Sequence, residues 1–443
     1  MNENLLHEMV RDALKAGADA AEAVVGERQS LSVGVRLGAL EEVEREEARD
    51  LGLRVFIGQR QATVSGSDIS AEARAKLLDR AMNMARLAPE DPYAGLAPQD
   101  RLAKGPFPDL DLYDSTEPSP EQLEALGRTA EDAARAVKGV TNSDGGTGAW
   151  STARYIMVTS GGFVGHHQAS SFAVYASAIA GDENGMERGG DGRSTRWQAD
   201  LPSPEEIGAE AGKRAVQRLG AKKIDSRTAP VIFEDRVAMS LISPTIGAIA
   251  GPAIARGASF LKTKLHQQVF APGITIVDEP HRRRGLGSQP FDDEGVANQA
   301  ASLVDKGVLT TWLLNSASAR QLGLQTTGHA SRGLASPPGV GVTNLTVQPG
   351  ERDLAGLMAD AKQGLLVTSM FGPSLNANTG DWSTGVSGFW FEDGEIAYPV
   401  TEITVAGNLI DIYSRLIAGS DLEYRGSRNA PSLLVDGLAI AGR

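Results

Sequence analysis

Residues 153–180 read ARYIMVTSGGFVGHHQASSFAVYASAIA. Three runs within it, ARYIMVTS (153–160), FVGHHQ (163–168) and SSFAVYASAIA (170–180), have the β-branched and aromatic content that predicts strands. A helix is expected on either side, and the two begin alike. Ser119-Pro120-Glu121-Gln122 offers an N-cap, a proline at the first helical position and a side chain that can reach back. Ser203-Pro204-Glu205-Glu206 repeats the signal. Gly139 and Gly220 are natural stops. The middle of the chain therefore reads as helix, sheet, helix. The loop GDENGMERGGDGRS (181–194), rich in glycine and charge, is expected to be mobile.

Further out towards the N-terminus, Pro89, Pro92, Pro98, Pro106, Pro108, Pro118 and Pro120 crowd one stretch. Proline lacks the donor that helices and ladders need, so residues 89–120 form an extended connector. Before it, LSVGV (31–35), LGLRVFIG (51–58) and QATVS (61–65) give a strand meander over 20–66, followed by a helix capped by Ser70. The N-terminus predicts an amphipathic helix with Leu5, Leu6, Met9, Val10, Ala13 and Leu14 on one face and Gly17 as its end. From about residue 225 the pattern is mostly β. Asp305-Lys306-Gly307 and Asp393-Gly394 mark hairpin turns, and Ser316–Leu322 is a short helix ended by Gly323. Residues 237–254 carry no charge, but Pro244 and Pro252 make them buried helix and loop rather than a membrane span.

The chain has 443 residues, enough for two or three domains, and 51 of them are glycine, which fits a turn-rich β architecture. A net charge of −13 argues against a phosphate-binding surface, so neither nucleic acid nor membrane is an expected partner. Cysteine is absent, which excludes a disulfide framework, a thiol nucleophile and thiolate metal ligands. The N-terminal stretch has no apolar core of a signal peptide, and a cytoplasmic location is the simplest reading.

Self-contained catalytic signatures are missing: no HExxH or HExxxH, G-x-S-x-G, P-loop or G-x-G-x-x-G occurs. His7 reads as an exposed helix residue. His166 and His167 are adjacent in a strand and should face opposite ways, so they do not chelate one ion. Asp292-Asp293-Glu294-Gly295 could offer oxygens to a hard cation, but it lacks the spaced acids of an EF-hand. A solvated loop whose glycine takes positive φ is the favoured reading. His281-Arg282-Arg283-Arg284 is a local basic patch; three arginines without aromatic interleaving on so acidic a chain are a weak signal for nucleic acid, and a salt-bridging surface that meets an acidic partner is at least as good a reading. Thr326-Thr327-Gly328-His329-Ala330-Ser331-Arg332 brings polar groups together, either to hold a ligand or to pin a turn by hydroxyl-to-backbone bonds.

The run from Gly285 to Arg332, GLGSQPFDDEGVANQAASLVDKGVLTTWLLNSASARQLGLQTTGHASR, resembles the TldD/TldE (PmbA) family, once described as modulators of DNA gyrase. ASFLKTKL (258–265), TGDWSTGVSGFWFEDGEIAYPVTEITVAGNL (379–409) and GSDLEYR (419–425) extend the likeness towards the TldE branch. In the TldD branch an HExxxH helix and a cysteine near the C-terminus hold zinc. Here Glu234 and Met239 stand where the histidines would be, and Asp235 where the glutamate would be. Tyr424-Arg425-Gly426-Ser427-Arg428 lies where the cysteine is missing.

The resemblance implies a non-catalytic, metal-free subunit of a heterodimeric zinc metallopeptidase acting on unfolded peptides and peptide precursors. Its partner would be a TldD-like subunit that carries the zinc, with none in this chain. Alone, the chain could form a homodimer. Thr327, Gly328, His329 and Arg332 are the candidate peptide-cleft residues. The expected fold is α+β: a small N-terminal α/β meander domain (1–105), a middle helix–sheet unit (106–222) and a large β-rich C-terminal domain (223–443). Two other readings are a metal-independent peptide-binding or scaffold homodimer, and a self-contained hydrolase with its own site.

Overall fold

The computed structural model describes residues 3–183 and 185–442. The first half runs α1 (Glu3–Lys15), β1 (Ala20–Arg36), β2 (Ala39–Ile57), β3 (Arg60–Gly66), α2 (Ala71–Leu87), α3 (Pro120–Arg135), β4 (Val140–Thr159), β5 (Val164–Asp182), β6 (Gly185–Thr195) and α4 (Pro204–Gln217). The six strands form one antiparallel sheet in the order β3-β2-β1-β4-β5-β6. The β1–β4 pairing carries this sheet across the proline-rich connector, so the meander and the middle unit share one layer.

All four helices cover the same face. Ala21, Ala23 and Val25 of β1 pack with Leu6, Met9 and Val10 of α1 and Leu77, Ala81 and Met82 of α2. Farther along the strand, Leu31 and Val33 meet Leu123 of α3, together with Trp150 and Phe172. The period of two in β1 keeps these side chains on one face, because alternate side chains point to opposite faces. Leu14 does not join the α1 core; it is 39% exposed. Both later helices keep their serine caps, with Ser119 accepting from Gln122 and Ser203 from Glu206. The reciprocal capping box closes only at α3.

The expected mobile loop at 181–194 is instead largely β6. It pairs with β5 from Asp182↔Gly185 to Phe172↔Thr195. Its glycines serve packing: a Cβ on Gly189 would stand 2.1 Å from the backbone nitrogen of Ala215 in α4. The strand therefore depends on a close helix approach that glycine permits.

The second half runs β7 (Arg227–Phe233), α5 (Asp235–Ala248), α6 (Gly251–Ala255), β8 (Ile276–Asp278), β9 (Ala301–Asp305), β10 (Val308–Leu309), α7 (Ser316–Leu322), β11 (Ala330–Ser331), β12 (Gly339–Val340) and β13 (Leu345–Val347). It continues with α8 (Leu354–Ala361), β14 (Gly364–Leu375), β15 (Asp381–Glu392), β16 (Glu395–Asn408), α9 (Leu409–Ser414), β17 (Leu416–Ala418), β18 (Arg428–Asn429) and β19 (Leu433–Ala441). The order β16-β15-β14-β7-β19 closes on itself through β16–β19, with β17 beside β19. Closure removes most exposed sheet edges. A second sheet, β10-β9-β8-β13-β18, packs alongside, and both contribute to one large apolar core. The uncharged stretch at 237–254 is α5 and most of α6. Among the described residues, no helix is long and apolar enough to cross a membrane.

The connector is held to the second half through backbone groups. Arg320 donates to the carbonyls of Tyr93, Gly95 and Leu96 at 2.8, 3.0 and 3.1 Å, and Arg101 to that of Thr326 at 3.3 Å.

Candidate functional site

β7 ends at Phe233 and α5 starts at Asp235, so Glu234 sits at the helix N-cap, but its side chain makes no cap hydrogen bond. It turns instead to Arg214 of α4, whose Nη1 and Nη2 lie 3.3 and 3.1 Å from its two oxygens. Asp235 accepts from Arg425 Nε at 3.1 Å. Arg425 also pairs with Glu423, and Arg236 with Asp191 and Glu210. Arg193 bridges Asp191 at 2.9 Å and Glu423 at 2.7 Å. Guanidinium groups from β6, α4, α5 and the 423–425 loop thus neutralise the carboxylates around the start of α5.

This donor set does not fit zinc. A zinc ion needs imidazole, thiolate or free carboxylate lone pairs. Here Glu234 and Asp235 already accept from arginines, whose positive charge opposes a divalent cation. Met239 packs its thioether into the C-terminal core. No group of three or more metal-binding side chains clusters among the described residues.

In the acidic run 292–294, Asp292 and Glu294 are buried and Asp293 half-buried, contrary to the solvated loop expected from its charge. Asp292 accepts from the N–H groups of Glu294, Val296 and Ala330 at 3.0, 2.8 and 3.0 Å. Glu294 accepts from the Ser316 N–H at 2.8 Å, at the first turn of α7. Asp293 accepts from the Arg332 N–H at 2.9 Å. Burial pushes the Asp293 pKa up to about 6. It also raises Glu294, and raises Asp292 well above the usual carboxylate range, with the charge of Glu294 adding to the effect there. Gly295 does take positive φ, at 77°.

The polar loop divides between two cavities. Thr327 and His329 line one of about 540 Å³, together with Arg101, Gln299 and Gln325. His329 Nδ1 lies 2.8 Å from Thr327 Oγ1, and its Nε2 lies 3.4 Å from Asp278 Oδ2. Hydroxyl-to-backbone bonds pin the turn: Thr327 Oγ1 accepts from the Leu314 N–H at 2.8 Å, and Thr326 Oγ1 donates to the Leu314 carbonyl at 3.1 Å. Gly328 supplies the turn, with φ 71°. Arg332 faces the other way, towards a cavity of about 400 Å³ against the N-terminal sheet, and pairs with Glu22.

Glu22 and Arg54, ion-paired at 3.4 Å and buried, were missed from sequence. Their signal was a lone charge inside each apolar run, AAEAVV and LGLRVF. The histidine pair lies in β5 as expected, with His166 exposed and His167 half-buried between the rings of Tyr155 and Phe291. Burial lowers the His167 pKa to about 4, and the charge of Arg196 adds to that. The basic patch makes ion pairs within the chain. Arg283 and Arg284 pair with Asp111, Arg284 also with Asp200, and Arg282 with Glu279.

Profiles of the PmbA/TldA metallopeptidase match the chain in order: domain 1 at residues 21–85, the central domain at 113–219 and the C-terminal domain at 226–442. A helix-backed sheet joined to a closed β-rich unit is thus the architecture on which these three metallopeptidase domains fall. The chain is 36% identical over 444 residues to Metalloprotease PmbA of Escherichia coli O157:H7, covering 99% of this chain and 96% of that protein. It is 36% identical to the PmbA homolog of Haemophilus influenzae, covering 97% and 94%. The chain belongs to the PmbA/TldE family. A crystal structure from Bacteroides thetaiotaomicron, described as a modulator of DNA gyrase, superimposes with a TM-score of 0.93 at 27% identity, covering 100% of this chain and 99% of that one. TldE from Thermococcus kodakarensis shares the fold, with a TM-score of 0.88 at 20% identity over 99% and 100% of the two chains.

Proposed function

We propose that this chain is the metal-free subunit of a two-subunit zinc peptidase that acts on unfolded peptides and peptide precursors. The observation that carries this reading is the guanidinium–carboxylate pairing of Glu234 and Asp235, at the positions where the resemblance would put a zinc donor set. Zinc-activated water would then come from a TldD-like partner, and this chain would wall the peptide cleft and stabilise that partner. The test is to co-express the two proteins, purify the complex and measure zinc content and peptide cleavage. Zinc and cleavage only in the joint complex is the expected result. Either one in this chain alone, or failure to associate, defeats the reading.

One observation favours a second reading, a self-contained hydrolase. Thr327, His329 and Asp278 form a hydroxyl–imidazole–carboxylate chain on a cavity wall. Peptide cleavage by the lone chain that is lost in Thr327→Ala and His329→Ala would select this reading. No cleavage by the lone chain removes it.

A further inference from the structure

The half of the N-terminal sheet opposite the helices is only partly covered. Near its Glu22 end, Phe291 and Leu334 pack onto Val24 and Met157. Beyond them opens the 400 Å³ cavity. Gly26, Arg28, Ala153 and Tyr155 form its sheet wall, and Asp293, Arg332 and Leu334 form the facing wall. Through Arg28 it continues into a trough of about 330 Å³ bordered by small residues, among them Ser30, Ser32, Ala149, Ser151 and Ser171. Small side chains across three strands leave room for an extended chain to lie close to the sheet.

The facing wall carries one donor and one acceptor without partners in the protein. The Arg332 side chain is 1% exposed. Its Nη1 goes to Glu22 and its Nε to the Gly333 carbonyl, while the buried Nη2 meets no acceptor. Asp293 Oδ2 accepts from the Arg332 N–H, and among the described residues its Oδ1 receives no hydrogen bond. A buried donor left unpaired is unfavourable, which a bound group would relieve.

We propose that this cavity takes one peptide group of an extended polypeptide, whose carbonyl oxygen receives Arg332 Nη2 and whose N–H is donated to Asp293 Oδ1. A peptide group presents one donor and one acceptor, which matches this pair. An anionic guest would meet the carboxylates of Asp293, Glu46 and Asp50, and a cationic guest the guanidiniums of Arg332 and Arg28. The neutral group is the one that neither set opposes. Small residues along the trough impose little side-chain selection, as a site for unfolded peptides requires. The proposal rests on the peptide-handling function above and adds a subsite to it.

The test is fluorescence anisotropy of a labelled, acetylated and amidated peptide of uncharged residues. It is run with the full chain alone and with the purified complex. Ala153→Trp fills the 400 Å³ cavity from an exposed strand position and abolishes binding. Asp293→Asn weakens binding about tenfold, the worth of a hydrogen bond to a charged group. Ala153→Trp keeps its thermal stability, Asp293→Asn loses none, and both still associate with the partner. Absence of wild-type binding overturns the proposal, as does wild-type affinity in both variants. Loss of partner association in Ala153→Trp also overturns it, because the cavity is then a subunit contact. A complex that cleaves peptide at unchanged rates in both variants defeats the subsite but not the subunit reading. If no complex forms, the subunit reading fails, and the lone-chain measurement still decides the subsite.

Discussion

Partial burial pushes the Asp293 carboxyl pKa up to about 6. An unfolded aspartate titrates near 3.9, at about the usual model value. Between those values the folded chain binds a proton that the unfolded chain does not. The contribution of this group to stability therefore falls as pH rises through 6. Asp293→Asn should raise unfolding stability at pH 8 by on the order of 2 kcal/mol, with the gain shrinking as pH falls from 6 towards 4. Urea unfolding of both proteins at the two ends of that range checks it. A variant that gains stability while losing peptide affinity marks a residue kept for binding. At the other site, Arg214→Ala leaves the Glu234 carboxylate, which is only 18% exposed, without its paired donors. The expected loss is about 2 kcal/mol, and Arg214→Lys should recover only part of it because lysine cannot present two parallel donors.

The β1–β2 hairpin is the element most dependent on a distant partner. Its two-residue turn, Leu37-Gly38, has φ of 52° and 74°. Such a turn matches strand twist but is unfavourable for leucine. Glu131 of α3, fully buried, accepts from both turn N–H groups at 2.6 and 2.9 Å, and Arg128 donates to the Gly38 carbonyl. Glu131→Ala should cost about 2 kcal/mol. Amide hydrogen exchange should accelerate at Leu37 and Gly38 while α3 stays protected. Unchanged protection at the turn would show that strand pairing alone holds it. Beyond Leu51, β2 loses its β3 neighbour, so residues 39–50 form an exposed edge. Glu41, Glu42, Glu44, Glu46 and Glu47 lie along that edge, where charge discourages pairing with another chain's strand.

Across the whole molecule, the two halves meet at buried ions. Glu22 of β1 pairs with Arg54 of β2 and with Arg332 beside β11, and all three side chains are at most 3% exposed. Glu22→Ala would strand two buried guanidiniums, at a cost of about 3 kcal/mol or more. Trp150 and Trp197 lie in the first half, and Trp312, Trp382 and Trp390 in the second. Wild-type circular dichroism and tryptophan fluorescence should show one coincident unfolding transition, and Glu22→Ala should lower its midpoint. An unchanged midpoint would remove this pair as the link between the halves.

Local signals carried much of this fold. The Ser119 cap, the helix at Ser316–Leu322 and the turns at Asp305–Gly307 and Asp393–Gly394 all lie where their sequence places them, because each depends on neighbours a few residues away. The long motif runs likewise named the family. Tertiary structure alone decided that the glycine-rich 185–195 segment is a strand, since β5 and α4 supply its reason. It also decided that Asp292 and Glu294 are buried, that Thr327 and Arg332 face different cavities, and that arginines meet Glu234 and Asp235. Arg332 lies 310 residues from Glu22, and Arg425 lies 190 from Asp235. Charge, burial and partner choice are properties of such distant neighbours, and only the folded chain brings them together.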